Sequence, residues 1–260
     1  MSLQLAPLAD SSVPWPPSVE EFFPPGLVGN WVTKFSIMVW IAVAVIIVFF
    51  LVTQRNPKIV PTKAQWLGES IYSFVRNGIS KEVIGHEGPR FAPYLTTLFV
   101  FICFINIFAV IPGFQISPSS HIAFPAVLAL ISFGLYWYQG IKKHGFGHYV
   151  KTSILLPAPW WVQPILLPIE LAQILLIRPV TLAVRLFANL FAGHLILLVF
   201  TLGGFVLMGT GNIGLAAVGV ISWGMSIVMT LFEAGVALLQ AYVFVLLTAS
   251  YVQTSLADEH

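Results

Sequence analysis

The chain has 260 residues, of which 58% are hydrophobic and 8% are charged, and its mean hydropathy is +0.90. Soluble domains carry about 25% charged residues, so this composition excludes a soluble globular protein and indicates an integral membrane protein. The formal net charge of +2 comes from dispersed cations, which gives no indication of a nucleic-acid partner.

The N-terminal segment, residues 1–31, combines acidic residues with a proline-rich stretch and lacks the basic region and small-residue cleavage site of a signal peptide. We therefore expect no removable signal peptide. Residues 33–53 carry one charge, Lys34, and are long enough to cross a hydrocarbon core of about 30 Å. They form the first predicted membrane span.

Residues 54–91 interrupt the apolar pattern with six cations and three glutamates. Within this region, apolar residues recur near helical spacing over 62–83, which predicts an amphipathic helix lying at the membrane interface. The second and third spans are predicted at 92–111 and 122–141, separated by a polar loop. The second span holds the single cysteine, Cys103, so an intrachain disulfide is excluded and a cysteine-based metal cluster is implausible.

Cations in the short loops set the predicted orientation. Six lie between residues 54 and 91, none between 112 and 121, and three between 142 and 151. The positive-inside rule places the first and third of these loops in the cytoplasm, and therefore the N-terminus outside.

The stretch from Ile165 to Thr254 is almost entirely apolar, and one glycine-rich patch interrupts it. The glycines of this patch are Gly203, Gly204, Gly209, Gly211 and Gly214. They divide the stretch into two helices of about forty residues, each about 60 Å long and so twice the hydrocarbon thickness. Such helices must tilt steeply, kink at Pro164, Pro168 or Pro179, or extend out of the bilayer. We favour steep tilt, since too few charges are present for an extension into water.

The predicted fold is therefore an all-α integral membrane protein with five membrane-crossing helices plus one interfacial amphipathic helix. Residues 1–260 form a single membrane domain, in which 1–31 lies outside, 54–91 is cytoplasmic and interfacial, and 165–253 is a tilted helical hairpin. An odd number of crossings places the C-terminus in the cytoplasm.

Arg185 needs a specific explanation, because a cation at bilayer depth costs roughly 2.5 to 3.5 kcal/mol. At about 100° per residue, it shares a helix face with Arg178, Thr181 and, more loosely, Asn189. His194 falls on roughly the opposite face.

On the last helix, Glu233 and Gln240 are about two turns apart and share one face. A buried glutamate without a partner is costly, so His194 is the natural candidate to share its proton. A private ion pair between Arg185 and Glu233 is the competing explanation, and spacing alone leaves both open.

Four other polar residues each have a structural and a functional interpretation. Arg178 is favoured as a cation that snorkels to the interface, and His121 as a surface histidine of the outer loop rather than a relay member. Glu170 is balanced between an interfacial charge and the lining of an aqueous passage. Asn106 has the simple alternative of a hydrogen-bonding contact between helices.

The sequence RPVTLAVRLFANLFAGH at 178–194, followed on the last helix by EAGVALLQAYVFVLLTASY, resembles subunit a of the F-type ATP synthase family. The resemblance covers residues 30–260. It implies a stator channel beside a rotating ring of c subunits, where Arg185 meets each c-subunit carboxylate as it passes. Asn189 then matches the polar residue one turn on, and Gln240 matches a glutamine that lies near the arginine.

The resemblance also departs from the family pattern at particular positions. His194 and Glu233 occupy two positions that some members fill in the opposite order, with the acid first and the histidine second. Asn106 matches the polar residue of the second span, whereas Ala109 and His121 stand where some bacterial members carry acids. The implied outer vestibule is therefore polar and imidazole-lined rather than acidic.

In functional terms, the resemblance implies two aqueous half-channels, each open to one side of the membrane. The expected outer lining is Asn106, His194, Glu233 and Gln240, and the inner half-channel candidates are Glu170 and Thr181. The subunit would have no catalytic residue, cofactor or metal of its own. Its expected partners are the c-subunit ring, the peripheral-stalk b subunits, the other ATP synthase subunits and the lipid bilayer, and its expected location is a bacterial plasma membrane.

Three other classes of protein fit the residues less well. An autonomous secondary transporter would show corresponding halves, but three short spans and two long helices form no inverted repeat. A membrane-embedded enzyme would need a paired nucleophile and base or closely spaced metal ligands. A structural scaffold without conduction would leave Arg185 unexplained.

Overall fold

The computed structural model describes residues 33–257 apart from residues 56–57, 112–115, 148 and 150–161. Every regular element in these ranges is helical. Five helical segments are long and apolar enough to cross a membrane: Lys34–Thr53, Lys63–Ile107, Ala123–His144, Gln163–Gly209 and Ile213–Leu256. The predicted all-α fold with five membrane helices is thus confirmed. The predicted outer segment 1–31 lies outside the described residues.

Helix α1, Lys34–Gln54, begins at Thr33, whose hydroxyl accepts a hydrogen bond from the Ser36 amide at 3.3 Å. Side chains about one turn apart, among them Met38, Ala42 and Ile46, are buried against the rest of the protein. Most other positions of α1 are apolar and exposed, as a face in contact with lipid requires.

The amphipathic helix predicted at 62–83 begins as expected, because Thr62 caps helix α2, Lys63–Val75. From Arg76 to Ile84, however, the backbone has π-helical hydrogen bonds, and a short 3₁₀ turn, Gly85–Glu87, follows. Gly85 has a φ of 80°, a conformation that glycine adopts without strain, and the chain changes direction there.

Helix α3, Gly88–Ile107, is the second span; it begins and ends earlier than the predicted 92–111. The π-helical segment folds back onto its first turn, where the Ser80 hydroxyl donates to the Gly88 carbonyl. A Cβ on Gly88 would lie 2.2 Å from the Ser80 carbonyl oxygen, so this close approach of two backbones requires glycine. Helix α4, Ala123–His144, is the third span and starts one residue after the predicted position.

The fourth long helical segment has three parts: helix α5, Gln163–Ala172, a π-helical segment, Gln173–Ile177, and helix α6, Arg178–Gly209. Helix α7, Ile213–Leu256, follows after a short turn. Gly211 has a φ of 70° in this turn, and the Asn212 side chain accepts a hydrogen bond from the Gly214 amide at 2.9 Å. The predicted division into two helices of about forty residues therefore agrees with the structure.

The first glycines of the predicted breaking patch have a different role from the one expected. Gly203 and Gly204 lie inside α6, at the point where it crosses α7. A Cβ on Gly204 would lie 2.4 Å from Cδ1 of Trp223, and one on Gly219 would lie 2.9 Å from the Gly204 carbonyl oxygen. Here the two backbones are in contact, and small residues allow that approach.

The core lies on one side of the α6–α7 hairpin, where α3 and α4 pack. Leu186 and Leu190 of α6, Ala241 and Val245 of α7, and Ile102 of α3 are among its buried side chains. The other side of the hairpin exposes large apolar side chains, including Val184, Ile227, Leu231, Phe232 and Leu238. The hairpin therefore has a packed face and an apolar face that the chain itself leaves uncovered.

Candidate functional site

Arg185 lies on the uncovered side of α6. Leu182 and Leu186 of the same helix belong to the core and are almost fully buried, whereas Arg185 and Thr181 are exposed. The Thr181 hydroxyl donates to the Ile177 carbonyl at 2.7 Å, and Asn189, one turn further on, is half-buried. The structure thus places a fixed positive charge on a largely apolar surface, with Thr181 and Asn189 as polar neighbours.

His194 and Glu233 are both buried, with 4% and 3% of their surface exposed. The Glu233 carboxyl group packs over Gly193, the residue before His194 on α6. A Cβ on Gly193 would be 3.3 Å from Oε1 of Glu233. A methyl group there would require the carboxyl group to move by a few tenths of an ångström.

The two carboxylate oxygens of Glu233 have no hydrogen-bond partner within the part of the chain that is described. The proton sharing with His194 predicted from the sequence is therefore not present as a direct hydrogen bond. The private Arg185–Glu233 ion pair is not formed either. Gly193, which contacts Glu233, is about 12 Å along the helix axis from Arg185. This distance separates the Arg185 guanidinium from the Glu233 carboxyl group.

Asn106 is fully buried and joins three elements by its amide group. Its Nδ2 donates to the Ala237 carbonyl of α7 at 3.3 Å, and its Oδ1 accepts from the Ser119 hydroxyl at 2.8 Å. Ser119 belongs to the 3₁₀ turn Pro118–Ser120 that precedes α4. Asn106 therefore fixes α3 and this turn to α7, one helical turn beyond Glu233.

Gln240 is buried on the same side of α7 as Glu233 and Ala237. It therefore puts a buried polar side chain about two turns beyond the carboxyl group. Together with Asn106 and His194, these residues bring polar groups from three helices into one buried region.

Three of the other sequence candidates lie outside this region. Arg178 is half-buried, with its guanidinium 5.6 Å from the centre of the Tyr251 ring, a cation–π geometry. His121 is half-buried between the rings of Phe35 and Phe124, with centroid distances of 5.9 and 6.4 Å. Glu170 lies half-buried on α5.

Sequence reasoning missed Gly193 and Ser119, which contact site residues, and Tyr251, which packs against Arg178 outside the buried region. Gly193 lies inside the quoted motif, but its contact with Glu233 can be recognised only when the packing of α6 against α7 is known. The sequence offered one indication of the role of Ser119, which is its position in a polar loop next to an apolar span. The aromatic ring of Tyr251 is indistinguishable in sequence from an ordinary interfacial tyrosine.

The chemistry available here is proton transfer and charge stabilisation. Buried carboxyl and imidazole groups can accept and release protons, whereas a guanidinium keeps its charge at any physiological pH. Within the described ranges, no group of three histidine, cysteine or acidic residues is arranged to hold a metal ion.

The fold and these residues define a class: polytopic helical membrane proteins that carry buried polar and titratable side chains between their helices and an arginine on an exposed helix face. A family model described as "ATP synthase A chain" matches residues 36–253. The chain belongs to this family, whose members are subunit a, the proton-translocating subunit of the ATP synthase membrane sector.

Its curated relatives cover nearly the whole chain. "ATP synthase subunit a" of Nocardioides sp. is 41% identical over 88% of this chain and 83% of the relative. The subunit of Rhodococcus erythropolis is 40% identical over 94% and 91% of the two chains. That of Pseudarthrobacter chlorophenolicus is 37% identical over 98% of both.

Proposed function

We propose that this chain is the stator proton-channel subunit of a rotary ATP synthase. It provides two offset half-channels that pass protons to and from the carboxylates of a c-subunit ring, and so couples proton flow to rotation and ATP synthesis. The observation that carries this proposal is the exposed position of Arg185 on the uncovered face of the α6–α7 hairpin.

The cost of placing Arg185 in the membrane requires a compensating negative charge. Glu233 does not supply it, since its carboxylate packs over Gly193 instead. A carboxylate on a neighbouring subunit does so if it passes along the uncovered face. The fixed charge of the guanidinium favours the ionised form of that carboxylate and repels any proton moving directly between the half-channels.

The outer half-channel runs through the buried polar region formed by Asn106, His194, Glu233 and Gln240. The inner half-channel uses Glu170 and Thr181, which precede Arg185 on the same helical segment, and Asn189 lies beside Arg185 toward the rotor. This order along α5 and α6, from Glu170 through Arg185 to His194, supports an arginine located between two passages.

The partners of the subunit follow from this role. The uncovered face of the hairpin would contact the c-subunit ring, and peripheral-stalk b subunits and the other ATP synthase subunits complete the complex. The location would be a bacterial plasma membrane, with the N-terminus outside and the C-terminus in the cytoplasm, as the loop charges indicate.

The experiment compares Arg185→Ala with Arg90→Ala in the complete complex. Arg90 is an exposed arginine in the first turn of α3, so its substitution removes the same side chain away from the site. We expect proton-driven ATP synthesis to be abolished by Arg185→Ala and retained by Arg90→Ala, with both complexes assembled around a ring of small two-helix subunits. Normal synthesis by assembled Arg185→Ala complexes, or purification without such a ring, would overturn the proposal.

A further inference from the structure

The π-helical segment Gln173–Ile177 leaves one backbone carbonyl without its usual donor. The Arg178 amide bonds to the Gln173 carbonyl, five residues back, so it does not serve the Ile174 carbonyl four residues back. The next amide along the chain would belong to residue 179, which is proline and has no N–H. The Ile174 carbonyl therefore has neither an α-helical nor a π-helical donor.

Tyr136 of α4 supplies the missing donor. Its hydroxyl donates to the Ile174 carbonyl at 3.2 Å, and both residues are buried. A buried carbonyl without a partner is costly, so this hydrogen bond stabilises the π-helical arrangement specifically. In a continuous α-helix the Arg178 amide would already satisfy that carbonyl, so the tyrosine hydrogen bond would stabilise that arrangement less than it stabilises the π-helical one.

A small aromatic cluster fixes the hydroxyl in place. The Tyr136 ring packs against Phe133 at a centroid distance of 5.3 Å and against Tyr251 of α7 at 6.0 Å. Tyr251 in turn carries the Arg178 guanidinium over its ring. The first residue of α6 is therefore held by the same cluster that holds the π-helical segment.

The geometry matters because a π-helical insertion adds one residue to the turn and rotates all later side chains by about 100° relative to an unbroken α-helix. Whether the segment is π-helical or α-helical thus decides which face of α6 lies against the core. We propose that Tyr136 is a positioning residue for proton translocation: through its hydrogen bond to Ile174 it holds the π-helical segment and so orients Arg185 toward the rotor. The functional half of this inference rests on the rotor-facing role of Arg185 proposed above.

The first test replaces Tyr136 by phenylalanine in the whole complex, with Tyr138→Phe as the matched control. Tyr138 lies on the same helix and is 60% exposed, so its variant loses a hydroxyl group without disturbing the π-helical segment. Relaxation to an α-helix moves Arg185 off its face, so Tyr136→Phe should slow ATP synthesis about ten- to a hundredfold. Tyr138→Phe should match the parent.

The orientation of α6 is read by disulfide cross-linking in a Cys103→Ala background. Cysteines at Ala188 and Ala192, on the side of Arg185, and at Val184, about 100° away, are each paired with a cysteine on the rotor helix. Tyr136→Phe should shift cross-linking between these positions, and Tyr138→Phe should not. An unchanged pattern overturns the inference, whether or not synthesis falls.

A deletion separates the orientation of α6 from the hydrogen bond itself. Removing exposed Leu176 converts the π-helical segment to an α-helix while keeping α6 in phase. Pro179 then lies four residues after Ile174, so Tyr136 remains the only donor to that carbonyl, but there is no π-helical register left to lose. In this background, Tyr136→Phe should not shift the α6 cross-links. A shift as large as in the parent background would overturn the inference, and this comparison still applies if Tyr136→Phe alone fails to assemble.

The two proposals can fail separately. If no position on α6 of the parent complex cross-links to a rotor subunit, the proposed function is wrong. An electron cryomicroscopy map of the Tyr136→Phe complex then decides the structural claim: an Arg178 amide that still bonds to Gln173 overturns it, and one that has moved to Ile174 supports it.

Discussion

The carboxyl group of Glu233 packs over Gly193, the residue before His194, so closely that a Cβ on Gly193 would lie 3.3 Å from Oε1. This contact places an acid on α7 against the residue next to His194 on α6, and the carboxylate oxygens have no direct hydrogen bond in the described chain. The space above Gly193 thus controls where the carboxyl group can lie.

Gly193→Ala should therefore disturb proton transfer, although it adds only one methyl group. A Cβ at this distance is tighter than ordinary contact, so the carboxyl group must move by a few tenths of an ångström. We expect slower ATP-driven proton pumping by reconstituted complexes. Gly134→Ala on α4, where no heavy atom lies within 4 Å of the added Cβ, is the control, and equal rates for both variants would contradict the prediction.

Glu233→Gln should leave assembly intact but slow proton uptake from the outside by about a hundredfold or more, the usual contribution of a group that transfers protons. Its amide has nearly the shape of the carboxyl group, and no hydrogen bond to the carboxylate oxygens is lost within the described chain. Proton flux through reconstituted complexes measures the effect. Glu82→Gln, at an exposed position, should retain flux; an equally unaffected Glu233→Gln complex would count against a channel role.

Ser119→Ala should destabilise the subunit by about 1–3 kcal/mol, because it leaves the buried Oδ1 of Asn106 without its donor. Heating the detergent-solubilised complex and following release of the subunit measures this loss. Ser226→Ala removes only a local hydrogen bond to the Trp223 carbonyl and should be close to neutral.

A double-mutant cycle makes the Ser119 prediction stricter. With Asn106→Ala already present, Ser119→Ala should cost less than it does alone, because the two residues share one hydrogen bond. Simple additivity of the two substitutions would show that this bond contributes nothing.

Gly219→Ala should weaken the α6–α7 crossing. Its Cβ would lie 2.9 Å from the backbone oxygen of Gly204, and a backbone cannot yield as a flexible side chain can. We expect less assembled complex in the membrane, measured by immunoblot of purified enzyme. Gly224→Ala, on the same helix but with open space around its Cβ, should assemble normally, and no difference between the two would refute this account.

Periodicity predicted much of this arrangement, because it depends on the backbone of one helix at a time. The 100° spacing separates Arg185 from His194, and the structure has one exposed and the other buried. The length of the apolar stretches likewise predicted five membrane helices and two of unusual length.

Contacts between helices could not be predicted from the sequence. That Asn106 would bond Ser119 and the Ala237 carbonyl depends on how three elements pack, which no spacing encodes. The sequence predicted ordinary amphipathic helix up to residue 83, whereas Arg76–Ile84 is π-helical. Spacing alone likewise left open whether Glu233 would pair with Arg185 or with His194.

The hairpin seam contains two glycine contacts, Gly204 with Gly219 and Gly193 with Glu233. They are about three turns apart on α6 and four turns apart on α7. Removing a single residue between them on either helix would rotate one contact by about 100° out of the seam while leaving the other in place. The number of residues between the two contacts is therefore constrained on both helices, because both contacts must stay in register. Many substitutions of the lipid-facing side chains in this part of the chain are still compatible with the fold.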